Sequence, residues 1–206
     1  MKRTVLAVAA VALSVAGAST AHAQASLVRP VSFGVSAGAA LPNGDISDGY
    51  DAGFHVTGLM AVKPALLPLS FRGELGYDAI AGKAASVNYG TGSFSGKTAN
   101  MGMIVGSANV LYNFGMAASP VRPYVIGGAG VYNYKVGGSF SYTDPQTGQT
   151  VNMSATERQT KFGINGGLGM TFNLGAMSTF AEARFHNAFA DGGSVRFIPI
   201  TFGIMF

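Results

Sequence analysis

The sequence predicts an all-β chain, an eight-stranded antiparallel up-and-down transmembrane β-barrel, and three observations carry that prediction. In residues 196–206, Ile198, Ile200, Phe202, Ile204 and Phe206 share one face while Pro199, Thr201 and Gly203 share the other, because successive side chains of a strand point to opposite faces. Charged residues are only 11% of the chain and mean hydropathy is +0.31, yet beyond the N-terminus no apolar run approaches the ~20 residues of a transmembrane helix. A closed barrel reconciles the two, since it satisfies every backbone polar group inside lipid while diluting its apolar residues by alternation. Finally, short and long connections take turns along the chain, as the periplasmic turns and extracellular loops of bacterial outer-membrane barrels do.

Taken in order, the chain opens with a positive Met1-Lys2-Arg3, an apolar stretch from Val5 to Ala16 and a small-x-small Ala21-His22-Ala23. That is a signal peptide over residues 1–23, cleaved before Gln24, which leaves 24–206 as the barrel domain. A retained anchor is disfavoured, because Ser19 onward is polar and the apolar part is too short to span. With no cysteine there is no acceptor for an N-terminal lipid, no disulfide framework and no thiolate metal site. Thirteen basic residues less Lys2 and Arg3 leave eleven against nine acidic ones, a +2 too mild to argue for nucleic acid, which is not expected as a partner.

Eight strands follow, at residues 31–40, 51–62, 69–80, 98–114, 122–136, 160–174, 178–189 and 196–206, with turn chemistry between them. In the third, Leu69, Phe71, Leu75 and Tyr77 share a face with Gly73, opposite Ser70, Arg72, Glu74 and Asp78. A soluble sheet puts its apolar face inside; a small membrane barrel inverts the arrangement, so the charges belong in the lumen. The sixth sets Phe162, Ile164, Leu168, Met170 and Phe172 against Lys161, Asn165, Asn173 and several glycines, and the seventh sets Ala181, Ala183, Phe185 and Phe189 against Glu182, Arg184 and His186. The fourth and fifth carry small and apolar residues on both faces, so their faces stay unassigned. Many of the 30 glycines fall within strands, as a tightly curved sheet tolerates.

The connections 63–68, 115–121 and 175–177 are short; 41–50, 81–97 and 137–159 are long, and only 190–195 breaks the trend. An even strand count places both ends of the barrel in the periplasm. Within the third long connection, Ser139 to Tyr142 and Thr150 to Met153 alternate around the turn sequence Asp144-Pro-Gln-Thr-Gly148, which reads as strands five and six continuing past the lipid as a hairpin. Exposed strand edges also serve as partner docks.

These features resemble the small outer-membrane β-barrel family of OmpA-like, OmpX-like and OmpW-like proteins. The resemblance is carried by Arg122-Pro-Tyr-Val-Ile-Gly-Gly-Ala-Gly-Val-Tyr132, Glu182-Ala-Arg-Phe-His186, Ile198 to Phe206 and the signal peptide. It is a likeness of pattern across the mature chain, and it implies fold and a bacterial outer-membrane location better than activity. It also implies that Phe206 is the terminal aromatic read by the outer-membrane assembly machinery. No peptidoglycan-binding segment follows the barrel, so cell-wall tethering is not expected.

Candidate chemistry is sparse. Arg72, Glu74, Asp78, Lys161, Glu182 and Arg184 are expected to form a lumen charge network. An eight-stranded barrel is just wide enough for its own side chains, so paired charges read as a plug in preference to an ion-selective constriction. His55 has Thr57 two residues on, the beginning of a nucleophile and base, but sequence shows no acid beside them; His55 and His186, the histidines left once residues 1–23 are cleaved, are also too few for a metal centre. Gly127-Gly-Ala-Gly130 and Gly166-Gly-Leu-Gly169 look like phosphate loops but lack the following helix and Gly-Lys-Ser/Thr. Tyr77, Tyr112, Phe114, Tyr124, Tyr132, Tyr134 and Phe172 are expected to form interfacial girdles. The expected function is a monomeric, non-catalytic structural or surface-interaction protein without cofactors, whose partners are membrane lipid and lipopolysaccharide, the assembly machinery and an extracellular molecule met through residues 81–97 and 137–159. The alternatives are a channel for small or apolar solutes and, third, a lipid A-modifying enzyme.

Overall fold

The computed structural model describes residues 31–64, 69–89, 92–114, 119–190 and 193–206; the expected signal peptide lies outside them. Among these described residues, ten strands run in chain order: β1 (Val31–Asn43), β2 (Tyr50–Val62), β3 (Leu69–Gly82), β4 (Ala84–Tyr89), β5 (Gly92–Thr98), β6 (Met101–Asn113), β7 (Val121–Thr143), β8 (Thr150–Leu174), β9 (Met177–Ala190) and β10 (Gly193–Met205). Eight of them close a ring in the order β1-β2-β3-β6-β7-β8-β9-β10, every neighbour antiparallel, and β10 returns to β1 with Ala37 opposite Phe202. Backbone bonds between Phe206 and Phe33 (2.7 and 3.3 Å) extend that seam by one more pair. Closure leaves the wall no free edge, which is what lipid demands of a β-structure.

β4 and β5 lie outside the wall. They form a hairpin that pairs through β5 with the upper part of β7, Lys97 opposite Ser139 and Phe94 opposite Tyr142. The connection 81–97, expected as a loop, is therefore largely sheet. Its Ser- and Gly-rich sequence alternates only briefly, at Ala85, Val87 and Tyr89, too short a stripe to announce a pair of strands; β7 supplies the hydrogen-bonding edge that completes them. β7 and β8 outgrow the barrel in the same direction. β6 leaves β7 at Tyr134 and β9 leaves β8 at Gly163, whereas β7 and β8 stay paired as far as Thr143 and Thr150. The expected hairpin over residues 139–153 is this extension. Its tip is set by Gly148, whose positive φ of 68° admits no Cβ without strain, and Gly175 (φ 78°) does the same for the tight turn from β8 to β9.

Side chains sort by parity. Outward, Phe162 is 76% exposed and Leu168 and Phe202 are each 66% exposed, with Phe71, Leu75, Ile104, Ile164 and Ile200 also turned out. Inward lie three layers. At the loop end Ile80, Met101, Met103, Tyr132, Tyr134 and Phe197 pack into an apolar cap; at the opposite end Leu111, Tyr124 and Ile126 form a smaller cluster; between them sit the buried polar and charged side chains. The faces left open in the fourth and fifth expected strands are thereby settled: Met101, Met103, Val105 and Leu111 point in, and Ile104, Val110 and Tyr112 point out. One expectation is corrected. Tyr77, Tyr112, Phe114 and Phe172 are on the exterior as a girdle requires, but Tyr124, Tyr132 and Tyr134 are buried in the lumen. They alternate with Val125 and Val131, which take the outside, so strand parity leaves tyrosine the inside.

Candidate functional site

The middle of the lumen is held by four charges from two strands on opposite sides of the ring. Alternation puts Arg72 and Glu74 inward from β3 and Glu182 and Arg184 inward from β9. Arg72 Nε lies 2.6 Å from Glu74 Oε1 and its Nη2 2.5 Å from Glu182 Oε2; Arg184 Nε lies 2.6 Å from Glu182 Oε1 and its Nη1 2.7 Å from Glu74 Oε2. Each cation touches both anions and each anion both cations, with all four side chains 1–4% exposed. The Arg72 Nη2–Glu182 contact is aligned as a hydrogen bond, while the other three are close ion pairs whose N–H groups are not aimed at oxygen. Further donors complete the ring. Tyr124 Oη donates to Glu182 Oε2 (2.6 Å), Ser107 Oγ and Asn109 Nδ2 each donate to Glu74 Oε2 (3.2 Å), and the Arg72 guanidinium sits 5.4 Å over the Phe180 ring. Charge removed from water must find partners, and here two of each sign cancel across an axis that barrel closure keeps narrow.

The remaining members of the expected network sit elsewhere. Asp78 Oδ1 lies 2.7 Å from His55 Nδ1, one layer nearer the cap, and His55 Nε2 lies 3.0 Å from Thr57 Oγ1. Lys161 is half-buried opposite Tyr132 in the β7–β8 register and is engaged there. In that layer Tyr132 Oη meets His186 Nδ1 at 2.9 Å, and the His186 ring stacks on Phe197 at 4.8 Å between centroids. The Asp78 partner of His55 escaped sequence reasoning because it depends on the β2–β3 register, which sets His55 opposite Asp78; His55 and Asp78 each fall on the inward parity of their strands, but parity alone does not align them.

Thr57, His55 and Asp78 thus line up in the order of a nucleophile, a base and an orienting acid. All three are buried, at 4, 5 and 1% exposure. Thr57 Oγ1 fills the space over Gly76, where a Cβ would lie only 2.6 Å from it. The hydroxyl is buried against the Gly76 backbone. Among the described residues no cluster of His, Cys, Asp or Glu has the make-up of a metal site.

The second feature is the four-stranded sheet of β4, β5 and the outer parts of β7 and β8. One face continues the lumen side and carries Val87, Phe94, Tyr142, Val151 and Met153, with Phe94 packed on Phe140 at 5.3 Å. Val151 and Met153 are largely exposed. The opposite face continues the outer wall and is rich in hydroxyls, with the row Ser86, Ser95, Ser141 and Asn152 running across all four strands. The turn beyond is tied by Asp144, whose Oδ1 accepts from the backbone N–H groups of Gln146 (2.7 Å) and Thr147 (3.0 Å). Those donors hold its carboxyl below the usual aspartate range.

No protein-family model matches the chain, and no curated protein matches it. Solved structures do. Neisserial surface protein A is 16% identical with a TM-score of 0.54, over 86% of this chain and 96% of that one. A major outer membrane protein of Thermus thermophilus is 17% identical (TM-score 0.49; 86% and 99% covered), and the N-terminal β-barrel domain of Pseudomonas aeruginosa OprF is 15% identical (TM-score 0.44; 86% and 98% covered). The likeness is one of fold: a small outer-membrane-type β-barrel of eight strands.

Proposed function

We propose that this chain is a non-catalytic surface protein of a bacterial outer membrane, a monomeric barrel with a closed lumen that presents its projecting sheet to the exterior as an interaction element. The observation that carries the reading is the division of labour along the barrel axis. The ring of Arg72, Glu74, Glu182 and Arg184, capped by the apolar layer around Met101, Met103 and Phe197, fills the path a solute would take, while β7 and β8 run on past it to carry a sheet with an exposed apolar face. The wall anchors and the sheet contacts. The outward apolar belt suits hydrocarbon, and one solved neighbour of this fold, Neisserial surface protein A, is itself named a surface protein.

A transport role is disfavoured by the filled lumen, and a lipid-modifying role by the burial of Thr57 and its packing over Gly76. Two measurements test the reading. Purified protein in planar bilayers is expected to give no discrete conductance steps; steady steps overturn the closed lumen. Cells displaying the full chain are expected to adhere to an apolar surface more than cells displaying a version with residues 139–154 replaced by a short turn. Equal adhesion at equal surface amounts refutes the role assigned to the sheet. His55→Ala and Thr57→Val are expected to leave the acylation of membrane glycolipid unchanged.

A further inference from the structure

We propose that the outer flank of the projecting sheet is a binding site for the phosphorylated sugar headgroup of an outer-leaflet glycolipid, with Lys135 and Arg158 holding a phosphate and the hydroxyl rows above them meeting the sugar. The site rests on the membrane placement proposed above and adds a ligand to it. Strand parity decides what this flank faces. Val131 of β7 and Phe162 of β8 are register partners on the outer wall, in the apolar belt. Two residues further along each strand, on the same flank, Asn133 Nδ2 donates to Thr160 Oγ1 at 2.6 Å. The next pair is Lys135 and Arg158, directly opposite each other and both exposed. Lys135 stands four residues beyond Val131, roughly 13 Å along the strand at 3.3 Å per residue and less in height because the strands tilt. That is the level at which hydrocarbon gives way to headgroups.

Two like charges placed directly opposite on a sheet repel each other. Among the described residues neither Lys135 nor Arg158 is in an ion pair, and the outward positions of β4, β5, β7 and β8 above the belt include no Asp or Glu. A phosphate between the two removes the repulsion and takes the donors both side chains offer. Beyond that pair the flank changes character. Ser139 faces Ser154, Ser141 Oγ donates to Asn152 Oδ1 at 2.5 Å, and Thr143 and Thr150 share a hydrogen bond of 3.0 Å. Ser86, Ser95, Lys97, Ser139 and Ser141 line a shallow groove of about 360 Å³ on the β4–β5–β7 part of the sheet. A simple phospholipid headgroup would end near Lys135 and Arg158. Sugars attached to a phosphate extend past it, and a flat array of hydroxyls and amides, which both donate and accept, is matched to them.

The test uses the full chain, purified in detergent, with three probes: phosphorylated lipopolysaccharide, the same material dephosphorylated, and phosphatidylglycerol. Wild-type protein is expected to bind the first at least about tenfold more tightly than either of the others, a margin set by charge-assisted bonds. Lys135→Gln with Arg158→Gln should reduce binding of the first to the level of the second. Ser139→Val with Ser141→Val should weaken glycolipid binding and leave phosphatidylglycerol unchanged. Lys83→Gln, at a lysine 3.6 Å from Asp51, should change nothing. The heat-dependent gel shift of a closed barrel confirms that each variant is folded. Equal binding of all three probes by the wild type, or of lipopolysaccharide by the wild type and the Lys135/Arg158 double variant, overturns the site. Conductance steps in bilayers would sink the closed-lumen reading while leaving these binding results in force.

Discussion

Replacing Glu182 by glutamine probes the centre of the lumen with minimal change of shape. Its carboxylate meets Arg72 Nη2 at 2.5 Å, Arg184 Nε at 2.6 Å and Tyr124 Oη at 2.6 Å, with the side chain 1% exposed. Glu182→Gln keeps one acceptor oxygen but removes the charge, so two buried guanidiniums are left to share Glu74. Breaking a buried pair in this way costs about 3–5 kcal/mol, and the retained oxygen puts the expected loss near the lower end, about 3 kcal/mol. At 1.4 kcal/mol per factor of ten that is roughly two orders of magnitude in the folding equilibrium. The assay is reversible urea unfolding in lipid vesicles, read by the midpoint at constant slope. Pairing Glu182→Gln with Arg72→Met restores neutrality, and the double variant is expected to be less destabilised than the two single losses add to, with a coupling of about 1 kcal/mol or more. A Glu182→Gln change below about 0.5 kcal/mol, the range of ordinary surface substitutions, or strict additivity in the double variant, would refute the ring as an energetic unit.

Two further outcomes follow from the wall and the hairpin tip. Leu168→Lys, at an outward position of β8 opposite Val125 of β7 and Ala183 of β9, is expected to cost about 2–4 kcal/mol in vesicles and to lower the assembled fraction; a neutral effect would mean that this face meets water. At the tip, Asp144 is held ionised by two backbone donors. A carboxyl lowered in the folded turn stabilises it above the ordinary aspartate value of about 3.9 and ceases to do so as pH falls through the lowered one. Hydrogen exchange of the Gln146 and Thr147 amides should therefore be protected from neutral pH down to about 4 and lose that protection below it, and Asp144→Ala should abolish it at every pH. Protection that is independent of pH in the wild type would rule out the carboxylate as the tie.

How far the sequence could be read depended on where polarity contrast was available. β3 and β9 declared their faces because Arg72, Glu74, Glu182 and Arg184 alternate with Phe71, Leu75, Ala183 and Phe185, and a charge has only one place to go in a lipid-embedded wall; β8 did so because Phe162, Ile164 and Leu168 alternate with Lys161, Asn165 and glycines. β6 and β7 did not, because their inward ends build the apolar cap: Met101 and Met103 inside are as greasy as Ile104 outside, and inside-out patterning fails wherever the lumen itself is dry. The same cap explains the misplacement of Tyr132 and Tyr134, whose hydroxyls reach His186 and Gln159 from within. An amphipathic ring suits an interface and a lumen equally, and only parity chooses between them. β4 and β5 were hidden for another reason, since their stability comes from an edge on β7 that is 40 to 50 residues away from β5 in the chain. The candidate site shows the same limit. The four ring residues were each visible as inward charges, but their pairing across the barrel depends on closure. The Asp78–His55–Thr57 line depends on a register that a bulge near Asp51 and Phe54 helps to set.

The most direct test of the inside-out barrel uses the absence of cysteine from the chain. Single cysteines introduced one at a time from residue 162 to residue 172 of β8 can be spin-labelled and read for contact with oxygen, which concentrates in lipid, and with a water-soluble nickel chelate. Oxygen contact is expected to peak at 162, 164, 166, 168, 170 and 172 and to fall at the odd positions between, with the chelate low throughout. Nickel contact that peaks at those same even positions would place the apolar face in water and contradict the account.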